Sequence, residues 1–409
     1  MARRLHVIGA GLAGLSAALH GLAAGWRVTL HEAAGQAGGR CRSYHDPVLG
    51  RLIDNGNHLL LSGNRETMAY LRRIGASGTL TGPDAARFPF LDLAGGARWT
   101  LRPGWSLPWS AARRAPGTRA RDYLPWRLLT ATASATVAEC LPPGTALERV
   151  WRPLLVSALN TPLEHASARL AGRLLRQTLL RGEAACRPLI AADSLDASLI
   201  DPALATLARA GADIRFHRRL TGIERSGAGA TALLFDAERI ALDKDAAILA
   251  VSAPAADSLL DLGLPLEHQA IVNGHFRLET PFSLPGGEAF LALVGGTAEW
   301  LFRRGGVIST TTSAANGLAE KPAEQIAALL WADIVRALEL PGDSAVPSYR
   351  IVKEKRATPA QTPAFLAAQP RPSHRRNLAL AGDWVATGLP CTVESAVRSG
   401  RLAVEAVSN

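Results

Sequence analysis

An apolar strand that runs straight into a glycine-spaced turn limits what this chain can fold into more than any other feature. Leu5-His6-Val7-Ile8 leads into Gly9-Ala10-Gly11-Leu12-Ala13-Gly14, small residues follow in a helical run, and Arg27-Val28-Thr29-Leu30-His31-Glu32 comes next. Glycines at those three places let the chain turn tightly, admit a pyrophosphate against backbone N–H groups and bring helix close to strand. Glu32 stands about twenty residues further on, at the tip of the second strand, where a carboxylate accepts hydrogen bonds from ribose hydroxyls. The spacing predicts a βαβ unit that binds a dinucleotide. Near the other end, Leu378-Ala379-Leu380-Ala381-Gly382-Asp383-Trp384 reads as a further strand ending in a turn. The two ends are expected to build one site.

With 409 residues the chain exceeds one simple core and suits two domains. Hydrophobic residues make up 48% and charged residues 20%, which excludes a disordered chain. The four cysteines, Cys41, Cys140, Cys186 and Cys391, are far apart, with no CxxC pair and no histidine cluster at ligand spacing. That argues against a bound metal and against a disulfide framework, and points to synthesis and residence in the cytosol. The apolar run behind Arg3-Arg4 is punctuated by glycines and parses as strand, turn and helix, so it is expected to belong to the fold. No uninterrupted apolar stretch elsewhere reaches the roughly 20 residues of a membrane span. The net charge is +10, carried almost wholly by arginine, with lysine only at 244, 321, 353 and 355. No nucleic-acid module accompanies it, so nucleic acid is not an expected partner. An anionic membrane surface, such as the inner face of the cell membrane, is the better electrostatic match.

The pattern along the chain suggests a nucleotide domain interrupted twice. Residues 1–80, 205–262 and 376–409 are expected to form it, and 81–204 with 263–375 to form a second, substrate-binding domain. In the first, Asn64 reads as the cap of a helix that carries Met68, Leu71 and Ile74 on one face and ends at Gly75. Strands are expected at 212–216, 232–235 and within the apolar run 246–253. In the second, strands are expected near 276–278 and 306–309. A helix is expected over 322–340, where Ile326, Leu330, Ile334 and Leu338 recur every fourth residue.

Gly35-Gln36-Ala37-Gly38-Gly39-Arg40 resembles the GG-R sequence that follows the ribose-binding acid in the amine oxidase and phytoene desaturase flavoprotein superfamily. Ala381-Gly382-Asp383 resembles the second flavin motif of the same superfamily. The resemblance implies an α/β fold: a Rossmann-like FAD-binding domain with a discontinuous α+β substrate domain. It implies FAD as cofactor, with Gly9, Gly11 and Gly14 at the pyrophosphate and Glu32 at the ribose. Gly38, Gly39 and Arg40 then pass beside the phosphates, where a guanidinium fork suits them. Asp383, after Gly382, reaches the ribityl or pyrophosphate end, and the backbone of Leu220 caps the adenine. Gly56 and Asn57 face the isoalloxazine ring, and Thr392 and Val393 open a last helix whose positive end favours the reduced anion.

Further stretches resemble one branch, the hydroxysqualene dehydroxylases: Asp54-Asn55-Gly56-Asn57-His58-Leu59-Leu60-Leu61, Leu159-Asn160-Thr161-Pro162, and Lys353-Glu354-Lys355-Arg356-Ala357-Thr358-Pro359. Asn57 is a mild departure, standing where glutamine or a similar residue is expected. The branch implies reductive removal of hydroxyl from hydroxysqualene, giving squalene for hopanoid synthesis, with hydride from reduced FAD. Loss of water would need a proton donor, for which His58 is the first candidate and Asp54 the second. No second glycine motif provides an NADPH site, so an external reductant that the sequence does not identify is expected. Three other readings stay open: a carotenoid-type desaturase, a flavin amine oxidase, and a non-catalytic lipid-binding protein on the same fold.

Trp99, Trp105, Trp109 and Trp126 lie among seven arginines between Arg98 and Arg127, a mixture suited to a bilayer interface. A triterpene released into water would cost on the order of 20 kcal/mol at about 0.8 kcal/mol per methylene, so entry from lipid is expected. Replacing Glu32 by alanine should weaken FAD binding by about 1.5–3 kcal/mol, the worth of hydrogen bonds to a charged group. Titration of the stripped protein with FAD checks this, and unchanged affinity would mean the ribose contact is misassigned.

Overall fold

The computed structural model describes residues 3–104, 110–227, 229–236 and 238–408. Its first sheet has six strands, in the order Asp213–Arg215, Arg27–His31, Arg4–Ile8, Ala246–Leu249, Leu378–Leu380 and Ser373–Arg375. The first five run parallel and only the last is antiparallel. Leu5–Ile8 and Ala246–Leu249 are buried throughout, as strands covered on both faces must be. One face carries the helices Leu12–Ala23 and Val393–Ser408, and the other a three-stranded sheet of Leu220–Ser226, Gly229–Phe235 and Glu238–Ala241. The strand order reverses between Arg4–Ile8 and Ala246–Leu249, which opens a crevice at their carboxyl ends.

The two helices on the first face touch backbone to backbone. A Cβ built on Gly400 would lie 2.4 Å from the Ala13 carbonyl oxygen and 2.7 Å from the Ala17 nitrogen, so only glycine fits. Ser16 Oγ donates to the Val397 carbonyl at 2.7 Å across the same contact. This close approach locks the last helix of the chain onto the first.

The second sheet has seven strands, in the order Tyr349–Pro359, His268–Arg277, Val307–Thr312, Trp300–Arg304, Phe290–Val294, Phe88–Asp92 and Arg98–Leu101. The helix Ala323–Leu338 covers one face through Ile326, Leu330 and Ile334. Short helices, including Arg152–Leu159 and Ala168–Gln177, cover the other. Only the strands within His268–Arg277 and Val307–Thr312 were expected, and the rest pair with segments remote in sequence.

Three local expectations are corrected. The helix over 322–340 is shorter, because Pro322 is extended and Glu339 turns left-handed at φ +55°. Asn64 does not cap the helix Arg65–Arg73. Its Oδ1 accepts from Leu61 N–H at 2.6 Å, and the opening N–H groups of Glu66 and Thr67 donate instead to the carboxylate of Glu394, both at 2.9 Å. The division at 204 also falls late. Leu189, Leu195, Leu199 and Ala203 pack in the nucleotide core, where Tyr70 donates to the Leu199 carbonyl at 2.7 Å.

Among the described residues no helix is long and apolar enough to cross a membrane, and no group of acidic, histidine and cysteine side chains could hold a metal. The four cysteines are buried and unpaired. Replacing Gly400 by leucine should destabilise the protein by about 3 kcal/mol or more, because the new side chain meets backbone rather than yielding side chains. Thermal unfolding measures this, and an unchanged midpoint would refute the close contact.

Candidate functional site

Three loops converge at the crevice. Gly9, at φ +105°, donates its N–H to the His31 carbonyl at 2.7 Å, and Gly38 N–H donates to the Ala10 carbonyl at 2.9 Å. Gly11 and Gly38 form an isolated parallel bridge, so the loop before the first helix and the one carrying Arg40 are tied edge to edge. Glycine serves two purposes here. A Cβ on Gly14 would lie 1.8 Å from the Gly9 carbonyl oxygen, whereas one on Gly11 would meet nothing within 4 Å and one on Gly39 only Gly11 Cα at 3.6 Å. Gly14 is needed for packing, while Gly11 and Gly39 leave a cradle open over the start of the helix Leu12–Ala23. That helix has no side-chain cap and no acid in its first turn. Bare N–H groups, a positive helix end and open space make an anion site.

Glu32 borders this cradle. Its carboxylate accepts from Ala10 N–H at 2.7 Å and Ala34 N–H at 2.8 Å. It lines a cleft of about 520 Å³ with Gly35, Gln36, Gly39 and Arg42. Its backbone pairs with the segment leading to Leu220, accepting from Arg218 N–H at 2.7 Å and donating to the Arg215 carbonyl at 2.8 Å. Glu32 is thus tied to the segment that leads to Leu220, distant in sequence, although Leu220 itself does not line the cleft.

Arg40 and Asp383 join the two chain ends. Arg40 Nη2 donates to Asp383 Oδ1 at 2.7 Å, and Nη1 donates to the Ala357 carbonyl on the second sheet. The buried Asp383 carboxylate raises the guanidinium's pKa further above its ordinary value. Gly382 N–H donates to Ser399 Oγ at 2.8 Å, which fixes the turn against the last helix. Thr392 and Val393 open that helix, with Ser395 N–H donating weakly to Thr392 Oγ1 at 3.4 Å.

The hairpin Ser43–Asp46 and Arg51–Asp54 delivers the remaining candidates. Asp54 is fully engaged: it accepts from Ser43 Oγ at 2.6 Å and Leu195 N–H at 3.0 Å, and pairs with Arg304. Its geometry is that of a clamp between hairpin and second sheet. Gly56 abuts the Asn273 amide, and Asn57 Nδ2 donates to Thr311 Oγ1 at 3.0 Å. His58 stands differently. Its Nδ1 donates to the Gly56 carbonyl at 3.1 Å, and its Nε2 lies 3.5 Å from Cys41 Sγ. Burial pulls the imidazolium pKa down, but the Cys41 sulfur, the Gly56 carbonyl and Asp54 outweigh it and raise it from 6.5 to about 9.

The family model for flavin containing amine oxidoreductases matches residues 12–408. The chain is 45% identical over 418 aligned residues to the hydroxysqualene dehydroxylase of Rhodopseudomonas palustris, covering 100% of this chain and 99% of the relative. It is 44% identical to that of Sinorhizobium fredii, covering 99% and 98%. The chain belongs to the flavin-containing amine oxidoreductases, in their hydroxysqualene dehydroxylase branch. Among solved structures, cyclohexylamine oxidase from Brevibacterium oxydans shares the fold at a TM-score of 0.74 and 15% identity, covering 100% of this chain and 99% of that one.

As a flavin-dependent oxidoreductase of this family, the protein has a cradle that suits its cofactor class. The Gly11–Gly39 opening admits an anion, and Glu32 offers a carboxylate beside it. Sequence reasoning missed Cys41 as the partner of His58, although its place directly after Arg40 was a usable signal. It also missed Glu394, whose carboxylate is spent on the helix Arg65–Arg73. Replacing Arg40 by methionine strands a buried carboxylate and should cost about 3 kcal/mol. The Arg40→Met/Asp383→Asn double variant should recover stability but not flavin. Urea unfolding with flavin absorbance separates these outcomes, and a stable, yellow Arg40→Met protein would contradict them.

Proposed function

We propose that the chain binds FAD non-covalently and converts hydroxysqualene to squalene and water. The observation that carries the reading is the likeness, over essentially the full chain, to relatives bearing the hydroxysqualene dehydroxylase name. The cradle suits FAD: Gly11 and Gly39 would face its pyrophosphate, Glu32 its ribose and Leu220 its adenine. Asp383 would hold the ribityl or pyrophosphate end with Arg40 beside the phosphates, while Gly56 and Asn57 with Thr392 and Val393 would border the ring. Reduced FAD supplies the hydride that replaces the hydroxyl, and an external reductant restores it.

The chain's own residues deal with proton and water. His58 stays protonated through neutral pH, because its pKa is raised to about 9. The Gly56 carbonyl fixes the ring through Nδ1, and Nε2 hydrogen-bonds Cys41 Sγ at 3.5 Å. A substrate oxygen that takes the place of Cys41 at Nε2 would accept that proton and leave with it as water. Leu59, Leu61 and Leu366 keep partly buried apolar surface against the core of the second domain. Such surface suits a triterpene and excludes water that would recapture a carbocation. Asp54, already clamped by Arg304, positions the hairpin.

Single-turnover mixing tests the reading. Dithionite-reduced protein should be reoxidised anaerobically by hydroxysqualene, yielding one squalene per flavin, and not by phytoene or a simple amine. Reduction of the oxidised protein by phytoene would install the desaturase reading instead. His58→Ala should keep FAD and slow this step by roughly 10²–10⁴-fold. The acid form is the active one, so the rate should hold through neutral pH and fall above about 9. A flat profile to higher pH, or a native rate in the variant, would place the proton donor elsewhere.

A further inference from the structure

The chain's charge is concentrated in one module. Residues 98–182 hold thirteen arginines and no lysine against four acids, Asp122, Glu139, Glu148 and Glu164, so they carry nine of the ten net positive charges. Folding neutralises only some of them. Among the described residues, Arg98, Arg113, Arg149 and Arg152 have ion-pair partners, whereas Arg121, Arg127, Arg169, Arg173, Arg176 and Arg181 have no carboxylate within ion-pair distance.

The unpaired arginines lie together. On the helix Ala168–Gln177, Leu170, Ala171 and Leu175 face the core, while Arg169, Arg173 and Arg176 recur at spacings of four and three along the other side. Their mutual repulsion lowers the pKa of Arg173, after burial. The short helix Trp126–Leu129 packs across this one so closely that a Cβ on Gly172 would lie 2.2 Å from the Leu128 carbonyl oxygen. Arg176 Nη2 donates to the Leu129 carbonyl, and Arg127 Nη2 to the Glu139 carbonyl at 3.0 Å.

Large apolar side chains stand in the same module. Trp126 is 65% exposed and Leu124 49%, and Leu180, just past the arginine stripe, is 39% exposed. Trp99, expected among the interfacial residues, is instead buried and stacked on Phe90. Trp105 and Trp109 lie outside the described residues.

We infer that this face, Leu124–Trp126 with the stripe Arg169, Arg173 and Arg176, docks the protein on an anionic phospholipid bilayer. Charge complementarity selects the occupant. Unpaired guanidinium groups seek phosphate, and an exposed tryptophan between leucines suits the boundary of headgroup and acyl chain. The surface stands apart from the proposed reaction, since it is read from charge and exposure alone.

Flotation of the holoprotein with vesicles tests it. Binding should be strong to phosphatidylglycerol-containing vesicles, weak to pure phosphatidylcholine, and reduced by added salt. Replacing Arg169, Arg173 and Arg176 by serine should weaken partitioning by about a hundredfold, at roughly fivefold for each surface arginine. Trp126→Ser/Leu180→Ser should weaken it as well, and serves alone if the triple variant does not fold. Flavin absorbance and turnover of detergent-dispersed substrate should be unchanged in both. Equal flotation with neutral vesicles, or indifference to both variants, would overturn the inference. Loss on the arginine change alone, with Trp126→Ser/Leu180→Ser neutral, would overturn the part assigned to the apolar face Leu124–Trp126.

Discussion

One guanidinium ties together the distant segments that frame the candidate site. Arg40 reaches from the N-terminal loop to Asp383 at the far end of the chain and to the Ala357 carbonyl on the second sheet. Three segments with no neighbouring sequence are thereby held at one point. The pairing is favourable because the carboxylate is buried and would be costly without its cation.

The nucleotide unit was legible in the sequence because its signals are local. Strand, glycine turn, helix and Glu32 follow one another within a single βαβ stretch, and each specifies its own geometry. The second sheet was not legible. Phe88–Asp92 pairs with Phe290–Val294 about 200 residues away, and Pro89 interrupts the strand pattern, so no local rule could join them. Asn64 shows the same limit on a smaller scale. It has the right residue type for a cap, but a carboxylate from the last helix satisfies those N–H groups better.

For the site, residue types were readable and their partners were not. Glycines, Glu32, Arg40 and Asp383 could be singled out because each belongs to a short motif. The pairing of His58 with Cys41 depends on how the hairpin folds back beside the Arg40 loop. That is a tertiary event. Asp54 likewise reads in sequence as the second candidate proton donor, and only the arrival of Arg304 from the second sheet turns it into a clamp.

Glu394 has a consequence for how the protein is made. Its carboxylate holds the opening turn of Arg65–Arg73, and Arg401 pairs with Glu66 on the same helix at 2.8 Å. An early helix is thus completed by residues that leave the ribosome long after it. At about 5–20 residues per second, more than 15 s separate their synthesis. Through that interval the nascent chain must carry an unfinished half of its cofactor fold. Any message cut short before the final helix yields a product for the proteases rather than a weaker enzyme.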